Sequence, residues 1–139
     1  MNIYFSCSIT GGRQDQAAYG SIVSALMADG HEVPTAVLAD QDILDIEAVT
    51  SAVDVYKRDI AWLDACDAVV AEVSTPSHGV GYEIAYALDH GKPVICGYQA
   101  GKRVSKMLTG NTHPLIKVTA YKSVEEFIAE VGKFLDNIQ

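Results

Sequence analysis

Residues 68–83 read AVVAEVSTPSHGVGYE, and this stretch decides the fold of the chain. Its apolar first part is typical of a buried strand, and the pattern over residues 80–90 is typical of a helix. The turn between them contains Gly79, whose backbone can approach a ligand closely, and Ser77, which can cap the helix. A strand, a Gly-rich turn and a helix with an acid, Glu83, in its early turns are together the layout of a ligand site.

The role of Glu83 stays open on spacing alone. Free N–H groups at a helix N-terminus attract anions, and the helix dipole there favours the ionised, nucleophilic form of an acid. A solvated acid behind an ordinary turn fits equally well, since Gly-rich turns of this kind are common in α/β proteins. Glu72 lies inside the strand, and we expect it to make a structural hydrogen bond rather than to act as the acid.

Strand and helix patterns alternate along the whole chain. Strands are predicted at residues 3–7, 31–37, 67–73, 92–97 and 116–120, and helices at 14–28, 47–65, 80–90 and 124–137. Pro34 interrupts the second strand and places it near a sheet edge. The alternation predicts a single domain over residues 1–139 of the doubly wound α/β class, flavodoxin-like or Rossmann-like, with a five-stranded parallel sheet flanked by helices on both faces.

Composition excludes several classes of partner. The chain has 139 residues, of which 49% are hydrophobic, and this suits one compact domain. No apolar run approaches the roughly 18 residues that span a membrane, so no membrane partner is expected. The net charge of −8, without a basic stripe, argues against nucleic-acid polymers, although backbone amides and hydroxyls are enough to bind one phosphate.

Cysteine and histidine usage predicts the compartment and argues against a metal site. Cys7, Cys66 and Cys96 are odd in number and lie in apolar contexts, which is typical of core thiols in a reducing compartment. Since the sequence opens without a basic, cleavable leader, we expect a cytoplasmic protein. The four histidines lack zinc-type spacing, and we expect no metal ion.

Ligands bind to sheets of this class beyond the carboxyl ends of the strands, where the loops 6–13, 74–81 and 97–105 meet. The first loop matches neither the Walker motif nor the dinucleotide-binding motif. It still offers hydroxyls, flexible backbone and a cation, which suffice to hold one phosphate, although a polar turn with a surface arginine fits the same residues. Its candidate ligand-binding residues are Ser6, Ser8, Thr10, Gly11, Gly12 and Arg13.

Two polar residues outside these loops are further candidates. Asp59 lies in an amphipathic helix, in a setting where most aspartates are solvated. Tyr4 lies inside the first strand, where its hydroxyl is either satisfied in the core or reaches the site. The apolar residues that recur at helical spacing around Asp59 are Val49, Val53, Tyr56, Ile60 and Leu63.

Four segments of the chain carry a resemblance to a known family. They are Tyr4-Phe5-x-x-Ser8-Ile9-x-Gly11-Gly12-Arg13, Asp59-Ile60-x-Trp62-Leu63, Asp67-x-Val69-Val70-Ala71-Glu72-Val73-x-x-Pro76-Ser77-x-Gly79-Val80-Gly81-Tyr82-Glu83, and Val104-Ser105-x-Met107 with Gly110. Together they closely resemble the 2'-deoxynucleoside 5'-phosphate N-hydrolases of the nucleoside 2-deoxyribosyltransferase superfamily. The resemblance covers nearly the whole chain, which departs from the vertebrate members at Cys7 and Thr10.

The resemblance implies an enzyme that cleaves 2'-deoxynucleoside 5'-monophosphates to free base and 2-deoxyribose 5-phosphate, without a cofactor. Glu83 would be the nucleophile and form a covalent glutamyl-deoxyribosyl intermediate, assisted by Tyr4 and Asp59. The resemblance also implies a homodimer in which Ser105 serves the partner's site. The other residues expected to bind substrate are Ser8, Ser77, Gly79 and Met107.

Two alternatives stay open at this stage. In a nucleoside 2-deoxyribosyltransferase, a second base rather than water would attack the intermediate. Because the family's transferases handle unphosphorylated nucleosides, the serine-rich phosphate grip favours the hydrolase. In a non-catalytic nucleotide-sensing module, Glu83 would serve binding only.

Overall fold

A computed structural model describes residues 1–9, 14–39 and 43–139. Its centre is a sheet of four parallel strands in the order β1-β2-β3-β4. The strands are β1 (Ile3–Ser6), β2 (Ala68–Glu72), β3 (Val94–Gln99) and β4 (Ile116–Tyr121). The helices are α1 (Gln16–Ala28), α2 (Ile43–Val49), α3 (Ala52–Ala65), α4 (His78–Asp89), α5 (Lys106–Thr109) and α6 (Val124–Ile138), with a 3-10 helix at Pro34–Ala39. None of the helices in this described part of the chain is long and apolar enough to cross a bilayer.

Successive residues of each strand pack into two separate hydrophobic cores, one on each face of the sheet. Phe5 and Val70 pack on the face of the sheet that α1 and α6 cover. Their neighbours Tyr4 and Val69 pack on the opposite face, beneath α3 and α4. This alternation follows from the two-residue period of a strand, and burial on both faces explains why the strands read as continuous apolar runs. The predicted α/β class, with a parallel sheet flanked by helices, is confirmed.

The predicted strand at residues 31–37 is wrong, because the sheet has four strands in the described residues rather than five. Glu32 makes only an isolated parallel bridge at the free edge of β1, and the chain enters the 3-10 helix at Pro34. Proline has no N–H to donate into a ladder. Beyond it, the Phe5 N–H donates to the Thr35 hydroxyl at 2.8 Å instead of to a strand carbonyl.

The helix predicted at residues 47–65 is in fact two helices. α2 begins at Ile43 and ends at Val49, and α3 begins after Ser51. The Ser51 hydroxyl accepts a hydrogen bond from the Asp54 N–H at 3.1 Å. A serine that satisfies a first-turn amide in this way is a helix start, which the apolar spacing alone did not reveal.

The sheet and α6 come closest at Gly97 of β3. A Cβ atom at this position would lie 2.3 Å from the ring of Phe127, far inside van der Waals contact. The ring itself is fully buried and stacks on Tyr121, with ring centroids 5.4 Å apart. A glycine is therefore required where this ring lies against the strand.

Candidate active site

Glu83 lies on the second turn of α4, and its carboxylate meets the carboxyl end of β1. α4 begins at its N-cap Ser77, whose hydroxyl accepts a hydrogen bond from the Val80 N–H at 3.4 Å. The Ser6 hydroxyl, at the end of β1, donates to Glu83 Oε2 at 2.5 Å. The strand, turn and helix of residues 68–83 thus deliver the acid to the edge of the sheet where ligands bind in this fold class.

Burial controls the ionisation of Glu83. Removal of the carboxyl from water raises its pKa to about 7, although the Ser6 hydrogen bond and the nearby Tyr4 hydroxyl lower it. The negative charge of Asp59 raises the pKa of Glu83 as well. The expectation that the helix dipole would hold this acid ionised therefore missed the larger effect, which is desolvation. Near neutral pH the carboxyl is divided between its two forms.

Tyr4 adjoins Glu83 from β1, and its side chain is fully buried. Burial, and then the negative charge of Glu83, raise the pKa of Tyr4 far above its ordinary range, so the phenol stays protonated. The hydroxyl is close enough to lower the pKa of Glu83, but it makes no hydrogen bond of normal geometry with the described residues. The Tyr4 hydroxyl is therefore available as a hydrogen-bond donor to the carboxylate or to a ligand bound there.

Asp59 faces the same site from α3. Its side chain is 16% exposed and forms an ion pair with Arg58, whose Nε donates a hydrogen bond to Asp59 Oδ1 at 2.8 Å. Burial raises the pKa of Asp59, and Arg58 opposes that rise. The sequence pattern favoured a solvated aspartate here, but positions 52, 55, 56, 59, 60 and 63 recur at the helical period and all line one cleft.

This cleft has a volume of about 640 Å³ and lies between α2, α3 and α4. Tyr56 and Tyr82 form an aromatic wall, with ring centroids 6.3 Å apart at 63° and hydroxyl oxygens 3.4 Å apart. Glu47, Asp59 and Glu83 supply its carboxyl groups. An apolar space of this size with an aromatic wall suits a flat heteroaromatic ring. The apolar lining consists of Leu44, Ala48, Ala52, Val55, Ile60 and Leu63.

Part of the apolar spacing lines this cleft, since Tyr56, Ile60 and Leu63 border it, and Leu63 belongs to the core beneath α3 as well. Val49 is 87% exposed and Val53 is 60% exposed, while Leu63 is buried. Tyr56 is 54% exposed although it follows the same spacing. Val49 ends α2, and of the five residues with this spacing only Tyr56, Ile60 and Leu63 line the cleft, so the spacing did not mark one continuous helix face.

The loop after β1 is described only in part. Ser6 directs its hydroxyl to Glu83, a contact that the sequence did not suggest. Ser8 is fully buried. The other candidates in this loop, Thr10, Gly11, Gly12 and Arg13, lie outside the described residues. Their expected role in phosphate binding stays a prediction.

α4 separates the cleft from a second hollow. Gly79, Tyr82 and Glu83 line the cleft, whereas Ser77 and Ile84 line a groove of about 560 Å³ on the other flank of the helix. Ser77 and Gly79, both expected to bind substrate, therefore lie at the same helix N-terminus but on different sides of it. The free N–H groups of this terminus lie at the boundary of the two hollows.

The opposite wall of the groove comes from the segment after β3. The Ser105 hydroxyl accepts a hydrogen bond from the Met107 N–H at 3.2 Å and caps α5. Met107 is 81% exposed. Both residues line the groove, and neither is among the described residues that line the cleft of Glu83. Within one chain the two expected halves of the site are thus on opposite flanks of α4.

A buried hydrogen-bond network lies behind the turn that leads to α4. Glu72 accepts hydrogen bonds from the hydroxyls of Ser74 and Tyr121. The Ser74 hydroxyl also accepts from the Gln99 N–H at 2.8 Å, and the Gln99 side chain donates to Asp15 at 2.8 Å. Glu72 therefore has the structural role that we expected. Gln99 and Asp15 escaped the sequence analysis because they are 84 residues apart.

Metal-ligating groups are scattered in the parts of the chain that the structure describes. No three His, Cys, Asp or Glu side chains there are grouped so that they could hold a metal ion. The three cysteines, Cys7, Cys66 and Cys96, are buried free thiols.

Comparisons with known proteins find relatives of this chain in sequence and in fold. A model of the family described as nucleoside 2-deoxyribosyltransferase matches residues 3–134. A protein of Methanococcoides burtonii, named provisionally as a 2'-deoxynucleoside 5'-phosphate N-hydrolase, is 40% identical over 118 residues, which are 85% of this chain and 97% of that protein. The 5-hydroxymethyl-dUMP N-hydrolase of Mus musculus is 44% identical over 113 residues, which are 78% of this chain and 65% of that protein. The structure of the CMP N-glycosidase of Clostridium botulinum has the same fold, with a TM-score of 0.71 at 19% identity over 95% of this chain and 98% of that one.

Proposed function

The chain belongs to the nucleoside 2-deoxyribosyltransferase family, and from this premise we propose that it is an enzyme that hydrolyses the N-glycosidic bond of 2'-deoxynucleoside 5'-monophosphates. One observation carries the proposal: the buried carboxyl of Glu83 lies at an apolar cleft, is held by Ser6 and has Tyr4 and Asp59 as neighbours. The names of relatives at 40% and 44% identity support the same class of substrate.

The chemistry follows from a carboxylate next to the anomeric carbon. Cleavage of an N-glycosidic bond passes through an oxocarbenium-like state. Ionised Glu83 stabilises that cation and bonds to C1', while the C1'–N bond breaks and its electron pair leaves with the base. Water then attacks C1' and its proton passes to the departed base, so that 2-deoxyribose 5-phosphate and the neutral base are released and the carboxylate is regenerated. A 2'-deoxy sugar reacts more readily because it lacks the electron-withdrawing 2'-hydroxyl.

Tyr4 and Asp59 take complementary roles in this scheme. Tyr4 stays protonated, so its hydroxyl donates to Glu83 and orients the carboxylate for attack. Asp59 lies on the cleft wall as the carboxylate of the Arg58 ion pair, and it accepts a hydrogen bond from the sugar or the base and so holds the substrate in place. The base itself occupies the apolar cleft against Tyr56 and Tyr82, where stacking contributes most of the contact.

We propose that the 5'-phosphate binds at the N-terminus of α4, next to Ser77. Backbone N–H groups and the helix dipole favour an anion there, and the first turn of α4 carries no acid. We further propose that Ser105 and Met107 complete the phosphate site of a partner subunit in a homodimer. Support comes from Met107, whose apolar side chain is 81% exposed next to Ser105 and is left for a neighbouring subunit to cover.

The assay that tests the proposal is incubation of the purified protein with dGMP, dUMP or 5-hydroxymethyl-dUMP in water. Chromatography should detect free base and 2-deoxyribose 5-phosphate in equal amounts. Release of base only when a second base is added, with transfer of the sugar to it, would favour a transferase. Binding without turnover would favour a nucleotide-sensing module. Either result would overturn the proposed hydrolysis.

The cellular location is a separate proposal. We place the enzyme in the cytoplasm, because its three cysteines are buried free thiols, as is usual for proteins of reducing compartments. Fractionation of the native host, followed by detection with an antibody, tests this location.

A further inference from the structure

Arg58 holds two acidic side chains of the cleft at once. Its Nη2 lies 2.9 Å from Glu47 Oε1 on α2, and its Nε lies 2.8 Å from Asp59 Oδ1 on α3. The three side chains are largely shielded from water, with 25% exposure for Arg58 and 16% for each acid. A guanidinium that joins two carboxylates by separate nitrogen atoms fixes the orientation of both.

The contact between Arg58 and Asp59 is unusual for its place in a helix. Neighbouring residues in a helix point about 100° apart and do not normally face each other. Here the guanidinium is 5.0 Å from the ring centroid of Trp62, one turn further along α3. This cation–π contact holds the guanidinium against α3, next to the two acids with which it pairs. The side chain is thus braced on one side and bound to both acids on the other.

The cleft needs a cation at this place. Glu47, Asp59 and Glu83 all line it, whereas none of its lining residues in the described part of the chain is lysine or arginine. Arg58 approaches from behind the wall and lowers the pKa of both Asp59 and Glu83 by its charge. Its positive charge therefore reaches the two groups that we assign to substrate binding and to the chemistry without occupying the space of the substrate.

We propose that Arg58 is a positioning residue, which holds the Asp59 carboxyl group at the reacting end of the cleft and ties α2 to α3 as one wall. This inference rests on the proposed function. Arg58 acts through Asp59 and does not itself touch the substrate. Its link to Glu47 has a distinct purpose, because α2 contributes Leu44 and Ala48 to the cleft and the ion pair fixes this part of the wall against α3.

The main test compares Arg58→Met with Lys57→Met. We call the cluster of Arg58, Glu47 and Asp59 the clamp. Both changes remove one positive charge from α3, but Lys57 is exposed and only adjacent in sequence to the clamp. Arg58→Met should lower kcat for a deoxynucleoside monophosphate by about 10- to 100-fold, because a carboxyl group displaced by an ångström loses most of its effect. Lys57→Met should stay within about twofold of wild type. Equal, small effects of the two changes would reject the proposal.

Two further variants separate positioning from simple stability. Arg58→Lys keeps the charge but cannot join both acids in the same way, so kcat should recover only in part. Glu47→Gln weakens the tie to α2 but leaves the Asp59 contact, so KM should rise more than kcat falls. Added guanidinium ion should restore part of the kcat of Arg58→Ala and should leave the kcat of Lys57→Ala, which starts near the wild-type value, unchanged. Thermal unfolding checks that each variant is folded, and the same rescue pattern in both alanine variants would overturn the proposal.

The last measurement does not need turnover. In Arg58→Met the pKa of Asp59 should rise, since the variant removes the cation and leaves three facing groups, namely Glu47 from α2, Glu83 from α4 and Tyr4 from β1. Carboxyl NMR titration of Asp59 in wild type, Arg58→Met and Lys57→Met follows this directly. A rise confined to Arg58→Met supports the clamp even if no deoxynucleotide is hydrolysed, and an unchanged Asp59 titration rejects it even if hydrolysis is confirmed.

Discussion

Replacement of Glu83 by glutamine should make the protein more stable at alkaline pH. The buried carboxyl has a pKa of about 7, while the unfolded chain has the ordinary value of 4.5, so the folded state binds more protons between these values. The stability that the protonated form contributes is fully present below pH 4.5 and is lost as pH rises through 7. At about 1.4 kcal/mol per pH unit, the loss amounts to about 3 kcal/mol. Glutamine has the same shape but no charge, and so it escapes this loss.

Urea unfolding at pH 5 and pH 8.5 measures the effect. From the lower to the higher pH, the unfolding free energy of Glu83→Gln minus that of wild type should increase by about 2–3 kcal/mol. Titrations elsewhere in the chain cancel in this difference. Glu32→Gln, which removes one exposed carboxylate, is the matched control for the loss of a single negative charge. A difference for Glu83→Gln that is the same at both pH values would refute the conclusion that desolvation dominates at this acid.

Four further results are expected. Glu83→Ala should lower hydrolysis by at least about 100-fold in steady-state kinetics and remain folded by circular dichroism, and near-normal turnover would move the nucleophile elsewhere. Deoxynucleoside monophosphates should be cleaved far faster than deoxynucleosides, since the phosphate-binding groups would otherwise stay unpaired, and equal rates would contradict the phosphate site. Mixing Glu83→Ala with Ser105→Ala should restore activity through heterodimers that contain one intact site, whereas verified subunit exchange without rescue would exclude a shared site. Gly97→Ala should destabilise the protein by about 1–3 kcal/mol in urea unfolding, because its Cβ would lie against the Phe127 ring, and an unchanged midpoint would contradict that packing.

Local signals in the sequence were enough for the main elements of the fold. The apolar run before Ser77 and the helical pattern around Glu83 are each decided by residues close in the chain. We interpreted Pro34 as an interruption within a strand. Whether a short segment at the edge of the sheet pairs with β1 depends on which other groups can accept hydrogen bonds from the β1 N–H groups. The Thr35 hydroxyl does so at Phe5, and no periodicity could reveal that competition.

The site was predictable only in outline. Glu83 was found because its turn is distinctive, and Asp59 was found because it belongs to a matching motif. The Ser6 contact joins residues 77 positions apart, and the Arg58–Glu47 pair joins two helices that the sequence presented as one. Burial, which decides the pKa of Glu83, arises from packing of distant elements and leaves no mark in the spacing of residues.

The two-sided position of α4 has a pharmacological consequence. Glu83 faces the cleft and Ile84 faces the groove, on the same helical turn, while the Ser6 hydroxyl that holds the carboxylate belongs to a different element, β1. A compound bound in the groove against Ser77 would occupy the side of the α4 N-terminus where we place the 5'-phosphate. Such a compound would compete with the phosphate and leave the apolar cleft free for a base. Screens that use a free nucleobase as the competing probe would therefore miss it, whereas displacement of a deoxynucleoside monophosphate would reveal it.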